Sequence, residues 1–347
     1  MLTPRTVRAG LTWHPVAVHV WRSLGEVPAG GGPAVVTVGN FDGVHRGHTA
    51  VLRQVAALAR ERGARALAIT FEPHPLHVLR PDIAPPLVTG PDQRVELLAK
   101  TGLDGLLVQR FDLALAGQGP EEWVAGTVVG ALGATTVVIG TDVRFGHKNA
   151  GDLSTLRELG ARYGFEVVAL ADVEAPEGRR WSSSWVRSCL ADGDVVGAAE
   201  VLGRHHRLDG TVVHGDHRGR ELGYPTANLG PDLQGLVPAD GVYSAWLTVR
   251  DDGVHDHGGS SGGEPLPAAV SIGTNPQFDG LERRVEAYVI DRVGLELYGR
   301  QVRVGLVDRL RPTLRFDHVD ALVAQMGRDV GLARDGLARP AGLLPAD

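Results

Sequence analysis

The feature that most constrains this chain is a change of rhythm near residue 188. Before it, short apolar runs alternate with helix-like segments. Strands are expected at 34–38, 65–71, 103–110, 135–139 and 165–170, and helices at 48–62, 92–100, 121–132 and 153–163. In the first helix Val51, Leu52, Val55, Leu58 and Ala59 recur at helical spacing. Strict alternation of strand and helix predicts a parallel, doubly wound, Rossmann-like α/β sheet. Its ligands belong at the carboxyl ends of the strands. After a short helix at 194–202 come strand-like runs at 206–214, 242–250, 268–272, 283–290 and 301–310, separated by turn residues. Five or six strands with little helix predict a small closed β-barrel. A terminal helix at 318–332 would pack Val319, Leu322, Val323 and Met326. The 347 residues fit two domains. They divide into 18–187, a linker helix at 188–204 and a barrel domain at 205–335, with flexible tails at 1–17 and 336–347. The stretch 251–267, with His255 and His257, reads as an exposed hairpin loop.

Composition excludes several classes. The net charge of −6 argues against general nucleic-acid binding. Cys189 is the one cysteine, so no intramolecular disulfide or multi-cysteine metal site can form. No apolar run is long enough to span a membrane, and the N-terminus lacks a signal-peptide pattern, so a cytoplasmic protein is expected. The only lysines, Lys100 and Lys148, follow Ala99 and His147. A Walker A loop needs a lysine between glycine and a hydroxyl residue, so nucleotide chemistry here must use another cradle.

TVGNFDGVHRGH, residues 37–48, follows a strand and opens a helix. Gly39, Gly43 and Gly47 allow close backbone approach. His45 and His48 flank Arg46 and Gly47 where unpaired N–H groups and the positive dipole end suit a polyphosphate. Two imidazoles there can donate hydrogen bonds to charge developing on a transferring phosphorus. A metal pair, or polar residues in a tight turn, are the plainer readings.

The segment resembles the nucleotidyltransferase superfamily, and GNFDGVHRGH in particular resembles the opening motif of the bacterial bifunctional riboflavin kinase/FAD synthetase family. Three further segments extend the resemblance. FEPHP (71–75) is similar to a family segment near the flavin pocket, which implies flavin contacts from Phe71 and Pro73. GTDVRFGHKNAGD (140–152) resembles a family loop that puts Asp142 against substrate. It departs at Val143, where an aromatic is common, and at Asn149, often basic. WSSSWVRSCL (181–190) resembles the Ser-Ser-Thr-x-x-Arg signature with Ser184 in place of Thr. There Ser182, Ser183, Ser184 and Arg187 would meet ATP phosphates, together with Gly39, Phe41, His45, Gly47 and His48. Hydroxyls at a helix start plus one arginine make an anion site without lysine; a plain serine N-cap with a solvated arginine is the other reading.

GTVVHGDHRGRELGYPTANL (210–229) closely resembles the riboflavin kinase signature. The resemblance implies Thr226 and Asn228 on Mg²⁺ and ATP phosphate, with Gly215, Gly219 and Gly223 wrapping the nucleotide. Magnesium takes few protein ligands, so a hydroxyl and an amide are plausible partners. In RRVEAYVID (283–291) alternation turns Glu286 away from Val285 and Ala287. Locally this reads as a surface ion pair with Arg283 or Arg284; the resemblance implies the general base for the riboflavin 5′-hydroxyl. Phe316, in FDHVDALVAQM (316–326), would pack near the isoalloxazine. Ser271 stands where asparagine is common.

The resemblance covers residues 18–330. It implies an N-terminal nucleotidyltransferase domain with a parallel sheet, followed by a riboflavin kinase β-barrel with a terminal helix. Riboflavin would be phosphorylated to FMN and FMN adenylylated to FAD, with ATP as co-substrate, Mg²⁺ as cofactor, and catalysis by Glu286, His45, His48 and Arg187. Riboflavin, FMN, FAD and ATP are the expected partners, with no nucleic acid or membrane and with weak self-association left open. The alternatives are another His-x-Gly-His nucleotidyltransferase, or a flavin-binding regulatory protein without turnover.

Overall fold

The computed structural model describes residues 18–215, 222–250, 263–274, 283–292 and 294–338. The first half is a sheet of six parallel strands in the order β1-β4-β3-β2-β5-β6. They are β1 (His19–Trp21), β2 (Ala34–Val38), β3 (Arg65–Glu72), β4 (Gly105–Arg110), β5 (Ala134–Gly140) and β6 (Glu166–Leu170). The chain runs outward from β2 on one side and then returns to β5 on the other. The order therefore reverses beside β2, where a doubly wound sheet opens a crevice. Strand β1 was not expected: three residues are too few to show a period, and only pairing with β4 defines them.

Helix α1 (Arg46–Glu61) buries Leu52, Val55, Ala56 and Ala59 against the sheet, and Val51 and Leu58 sit half-buried at its margins. Then come α2 (Pro75–Leu79), α3 (Pro91–Ala99) and α4 (Leu113–Ala116). The helix expected at 121–132 forms with a difference. It starts as α5 (Pro120–Trp123) and continues as a wider π-type coil over Val124–Ala131. Val124, Thr127, Val128 and Leu132 all reach the core this way. Helix α6 (Leu153–Tyr163) stops at Gly164, whose φ of 79° suits glycine.

The short helix expected at 194–202 forms as α8 (Val195–Leu202), and it is preceded by a separate helix whose span was not expected, α7 (Ser183–Asp192). Helix α7 crosses the boundary expected at 187/188. Val186, Leu190, Val195 and Val201 from the pair share one apolar cluster with the barrel interior. The linking segment is thus an apolar cap on the barrel, because its buried side chains have nowhere else to go.

The barrel is closed, in the order β10-β11-β8-β7-β12-β9. Its strands are β7 (His206–Val213), β8 (Ala227–Leu229), β9 (Gly241–Val249), β10 (Leu266–Thr274), β11 (Arg283–Val289) and β12 (Gln301–Arg311). The sixth strand, β8, hides in a Pro-Thr-Ala-Asn-Leu run that reads locally as a turn.

The terminal helix, α9 (Val319–Ala338), corrects two expectations. Residues 336–338, expected in a tail, are its last turn, and Leu337 is buried. The fully buried positions are Asp329, Ala333 and Leu337; of the expected face, Leu322, Val323 and Met326 are half-buried and Val319 is 60% exposed. A clamp sets the helix rotation: Arg311 donates from Nη2 to Asp329 at 2.7 Å and from Nε at 2.9 Å. Apolar periodicity cannot register such a pair. The tails at 1–17 and 339–347, and residues 251–262 with His255 and His257, lie outside the described residues.

Candidate functional sites

The first site sits where the strand order reverses. Phe41 (φ 49°), Gly43 (φ 79°) and Val44 (φ 39°) crowd three left-handed residues into the loop after β2. That conformation is rare for a β-branched residue such as Val44 and costs about 1–3 kcal/mol. Asp42, 2% exposed, holds the loop together. Its carboxylate accepts from Val88 N–H and Thr89 N–H, both at 3.1 Å, and from Arg187 Nη2 at 2.6 Å. Gly43 N–H donates to Thr89 Oγ1 at 3.1 Å, and Ser183 Oγ donates to the Asp42 carbonyl at 2.8 Å.

His45 caps α1, its Nδ1 accepting from His48 N–H at 3.3 Å. A neutral ring with Nδ1 as acceptor carries its proton on Nε2, free to donate outward. The His45 and His48 rings stack with centroids 3.6 Å apart. Burial lowers His45 to about 4, with Asp42 opposing and Arg204 assisting. Burial, then the neighbouring His45, pushes His48 well below its ordinary value. Both rings are neutral at pH 7. Gly47 sits in a tight space, where a Cβ would press on the His45 ring and on Trp181. Gly39 lies against the ring of Phe41, which is buried and packs edge-on to His48.

Of the other expected residues, Ser183 and Arg187 bond to Asp42 of this loop. Ser182 caps α7 by accepting from Trp185 N–H, and Ser184 is exposed. Arg187 is engaged by Asp42 and by the Pro86 carbonyl (2.7 Å). Asp142, just past β5, accepts from Arg180 Nη1 at 3.0 Å, next to the 181–187 segment. Phe71, the penultimate residue of β3, meets Phe111 edge-on; Pro73 is exposed and follows a cis peptide. Sequence reasoning assigned no role to Asp42. Its place in the Gly-Asn-Phe-Asp-Gly run was the only signal, and its partners are Val88, Thr89, Ser183 and Arg187.

The second site lies on the outer face of the barrel. Asn228 on β8 is the cross-strand neighbour of Val213 on β7 and of Glu286 on β11. Glu286 in turn faces Ser271 on β10. Val285 and Ala287 point into the barrel and Glu286 points away from it, as alternation predicted. Thr226 precedes β8 by one residue, and the Asn228 amide reaches its carbonyl at 3.5 Å. A Cβ on Gly215 would displace the Asn228 amide, so the two positions are in close contact. His214 stacks on Tyr298 at 4.0 Å beside it. Gly223, with φ 86°, turns the chain before the site. Gly219 lies outside the described residues. Phe316, half-buried between β12 and α9, lies under the Arg311 guanidinium at 6.0 Å.

Among the described residues no group of three or more His, Cys, Asp or Glu could hold a metal. The second site instead offers a hydroxyl, an amide and one carboxylate. That oxygen-donor set fits Mg²⁺, which keeps waters and leans on substrate phosphates.

Fold and sites define a class: a nucleotidyltransferase-type α/β sheet joined to a kinase-type barrel. Comparison with known proteins narrows it. A family model described as FAD synthetase matches residues 29–185, and one described as riboflavin kinase matches 202–337. The bifunctional riboflavin kinase/FMN adenylyltransferase of Escherichia coli K12 is 36% identical over 321 residues, 92% of this chain and 97% of that protein. That of Listeria monocytogenes is 32% identical, over 91% and 94%. A solved structure from Streptococcus pneumoniae, described as a macrolide-efflux protein, superposes with a TM-score of 0.76 at 29% identity, over 92% of this chain and 99% of that one. This chain belongs to the bifunctional riboflavin kinase/FMN adenylyltransferase family. Among the described residues no helix is long and apolar enough to cross a membrane.

Proposed function

We propose that this chain makes flavin cofactors in two ATP-dependent steps, one at each site. At the barrel site the riboflavin 5′-hydroxyl attacks the γ-phosphorus of ATP, forming FMN and releasing ADP. Glu286 accepts the hydroxyl proton. Thr226 and Asn228 would hold Mg²⁺, which when bound neutralises phosphate charge. The observation that carries this assignment is the register that sets Glu286 directly beside Asn228. A base and a phosphate-side ligand must be neighbours for in-line transfer, and adjacent strands hold them so without loop freedom.

At the sheet site an FMN phosphate oxygen attacks the α-phosphorus of ATP. FAD forms and pyrophosphate leaves. His45 and His48 donate hydrogen bonds to the phosphate oxygens as charge shifts onto the leaving group, and the α1 N-terminus adds its dipole. Their neutrality suits this work, since a neutral donor needs no proton transfer and no change of ionisation. Gly39 and Gly47 let the backbone approach, and Ser182, Ser183, Ser184 and Arg187 border the phosphates. Asp42 is a positioning residue: it ties the motif loop to α7 through Arg187 and Ser183. Phe71, Pro73, Asp142 and Phe316 are assigned to the two flavin pockets. The protein works in the cytoplasm.

Purified protein given riboflavin, ATP and Mg²⁺ should yield FMN first and FAD after it. Absence of both, or adenylylation of a different metabolite, would overturn the assignment.

A further inference from the structure

The motif loop is gripped from a part of the chain that the adenylyltransferase family model does not reach. Arg204 lies between α8 and β7, outside the 29–185 match and inside the 202–337 match. It is 9% exposed. Its Nη2 donates to the Gly43 carbonyl at 2.6 Å, and its Nη1 donates to the carbonyls of Val44 (3.0 Å) and Leu202 (3.2 Å). A buried guanidinium is costly unless its donors are met, and here backbone carbonyls meet them. Two of those carbonyls belong to the residues immediately before His45, in the stretch with positive φ. The contact is reciprocated, since Arg46 Nε donates to the Glu200 carbonyl at 2.7 Å. Burial, assisted by Arg207, brings the Arg204 guanidinium down to about 9, so it stays charged at neutral pH. A strained loop keeps one conformation only if its surroundings over-determine it. Asp42 supplies one restraint from within the loop and Arg204 supplies the other from outside.

We propose that Arg204, a residue of the kinase-matching half, is a positioning residue for FMN adenylylation, holding the Gly43 and Val44 carbonyls so that His45 and His48 keep their place at the start of α1. The inference rests on the function proposed above. A second contact between the halves allows the two to be separated. Glu96 on α3 accepts from Arg207 (2.8 Å) and Arg303 (2.6 Å), which joins the halves without touching the motif loop.

The test uses full-length wild type, R204A, R204K and E96Q, each assayed for both reactions with Mg²⁺ and varied ATP. Wild type must convert FMN to FAD; if it does not, the underlying function fails, whatever the variants do. Given that activity, R204A should lose about 10²-fold in adenylylation kcat with little change in the KM for ATP, the scale expected of a displaced catalytic group. R204K should fall between R204A and wild type, because one ammonium cannot span both carbonyls. Riboflavin phosphorylation by both variants, and adenylylation by E96Q, should stay near wild type. Unchanged adenylylation in R204A overturns the proposal. So does a loss in E96Q as large as in R204A, or equal loss of both activities in R204K, since either reports docking of the halves in general. If R204A does not fold, R204K decides: lowered adenylylation with intact phosphorylation supports the role, and wild-type adenylylation overturns it.

Discussion

His45 and His48 show how burial selects chemistry at a single side chain. Their depressed pKa values leave both rings neutral through the physiological range, which suits hydrogen-bond donation to phosphate. His48→Ala should lower FAD formation by about 10²–10³-fold and let FMN accumulate, the scale of removing one transition-state donor. Undiminished FAD output would exclude the role. Glu286→Gln should cut riboflavin phosphorylation by about 10²–10⁴-fold, the worth of a general base, while FMN adenylylation persists. A folded Glu286→Gln protein lacking both activities would contradict a two-site enzyme. The buried histidines also set a pH dependence of stability. His206 is lowered to about 4 by burial, although its Nε2 donates to the Leu236 carbonyl at 2.7 Å. The unfolded chain binds the proton near pH 6.5 and the folded chain resists it. The neutral ring's contribution is therefore full above pH 6.5 and is lost as pH falls toward 4, at up to about 1.4 kcal/mol per pH unit for each such histidine. Urea unfolding of His206→Gln from pH 7 to 5 should show a shallower slope than wild type.

Strand register explains what no single residue could. Asn228, Glu286 and Ser271 lie side by side on β8, β11 and β10. Ser271 stands next to the assigned base. Among helices, α9 was legible as apolar and helical, but its orientation was not. Asp329, 3% exposed, anchors it to Arg311, and Gln325 Nε2 also donates to that carboxylate at 2.8 Å. Asp329→Ala strands a largely buried guanidinium, so it should cost about 3–5 kcal/mol in denaturant unfolding. A loss within experimental error would show that α9 is held by its apolar contacts alone.

At the scale of the whole chain the two halves share buried structure. Val88 of the sheet half joins the cluster that fills the barrel, and Leu236 N–H donates to its carbonyl at 3.2 Å. Gln93, 2% exposed, donates across to the Gln234 carbonyl at 3.3 Å. Burial alone would raise the Glu96 carboxyl, but the Arg207 and Arg303 guanidiniums hold it well below the carboxylate range. Arg303 reaches on to Asp209 at 3.1 Å. Two halves coupled in this way should unfold together. Calorimetry and intrinsic fluorescence should report one coincident transition; two well-separated transitions would contradict the coupling.

The sequence by itself determined the two kinds of architecture, because period 3.6 and period 2 are local properties of a chain. It also determined the chemistry-bearing motifs, whose glycines, histidines and hydroxyls are dictated by close backbone approach and by helix termini. It could not reveal that Asp42 binds Val88, Thr89 and Arg187, nor that Arg204 holds the carbonyls ahead of His45. Those partners are 46, 47 and 145 residues from Asp42, and Arg204 is 161 residues from Gly43. Nor could it place β8 or orient α9. Each depends on which surfaces meet once the chain has closed, and a buried polar group takes whatever partner burial brings within reach.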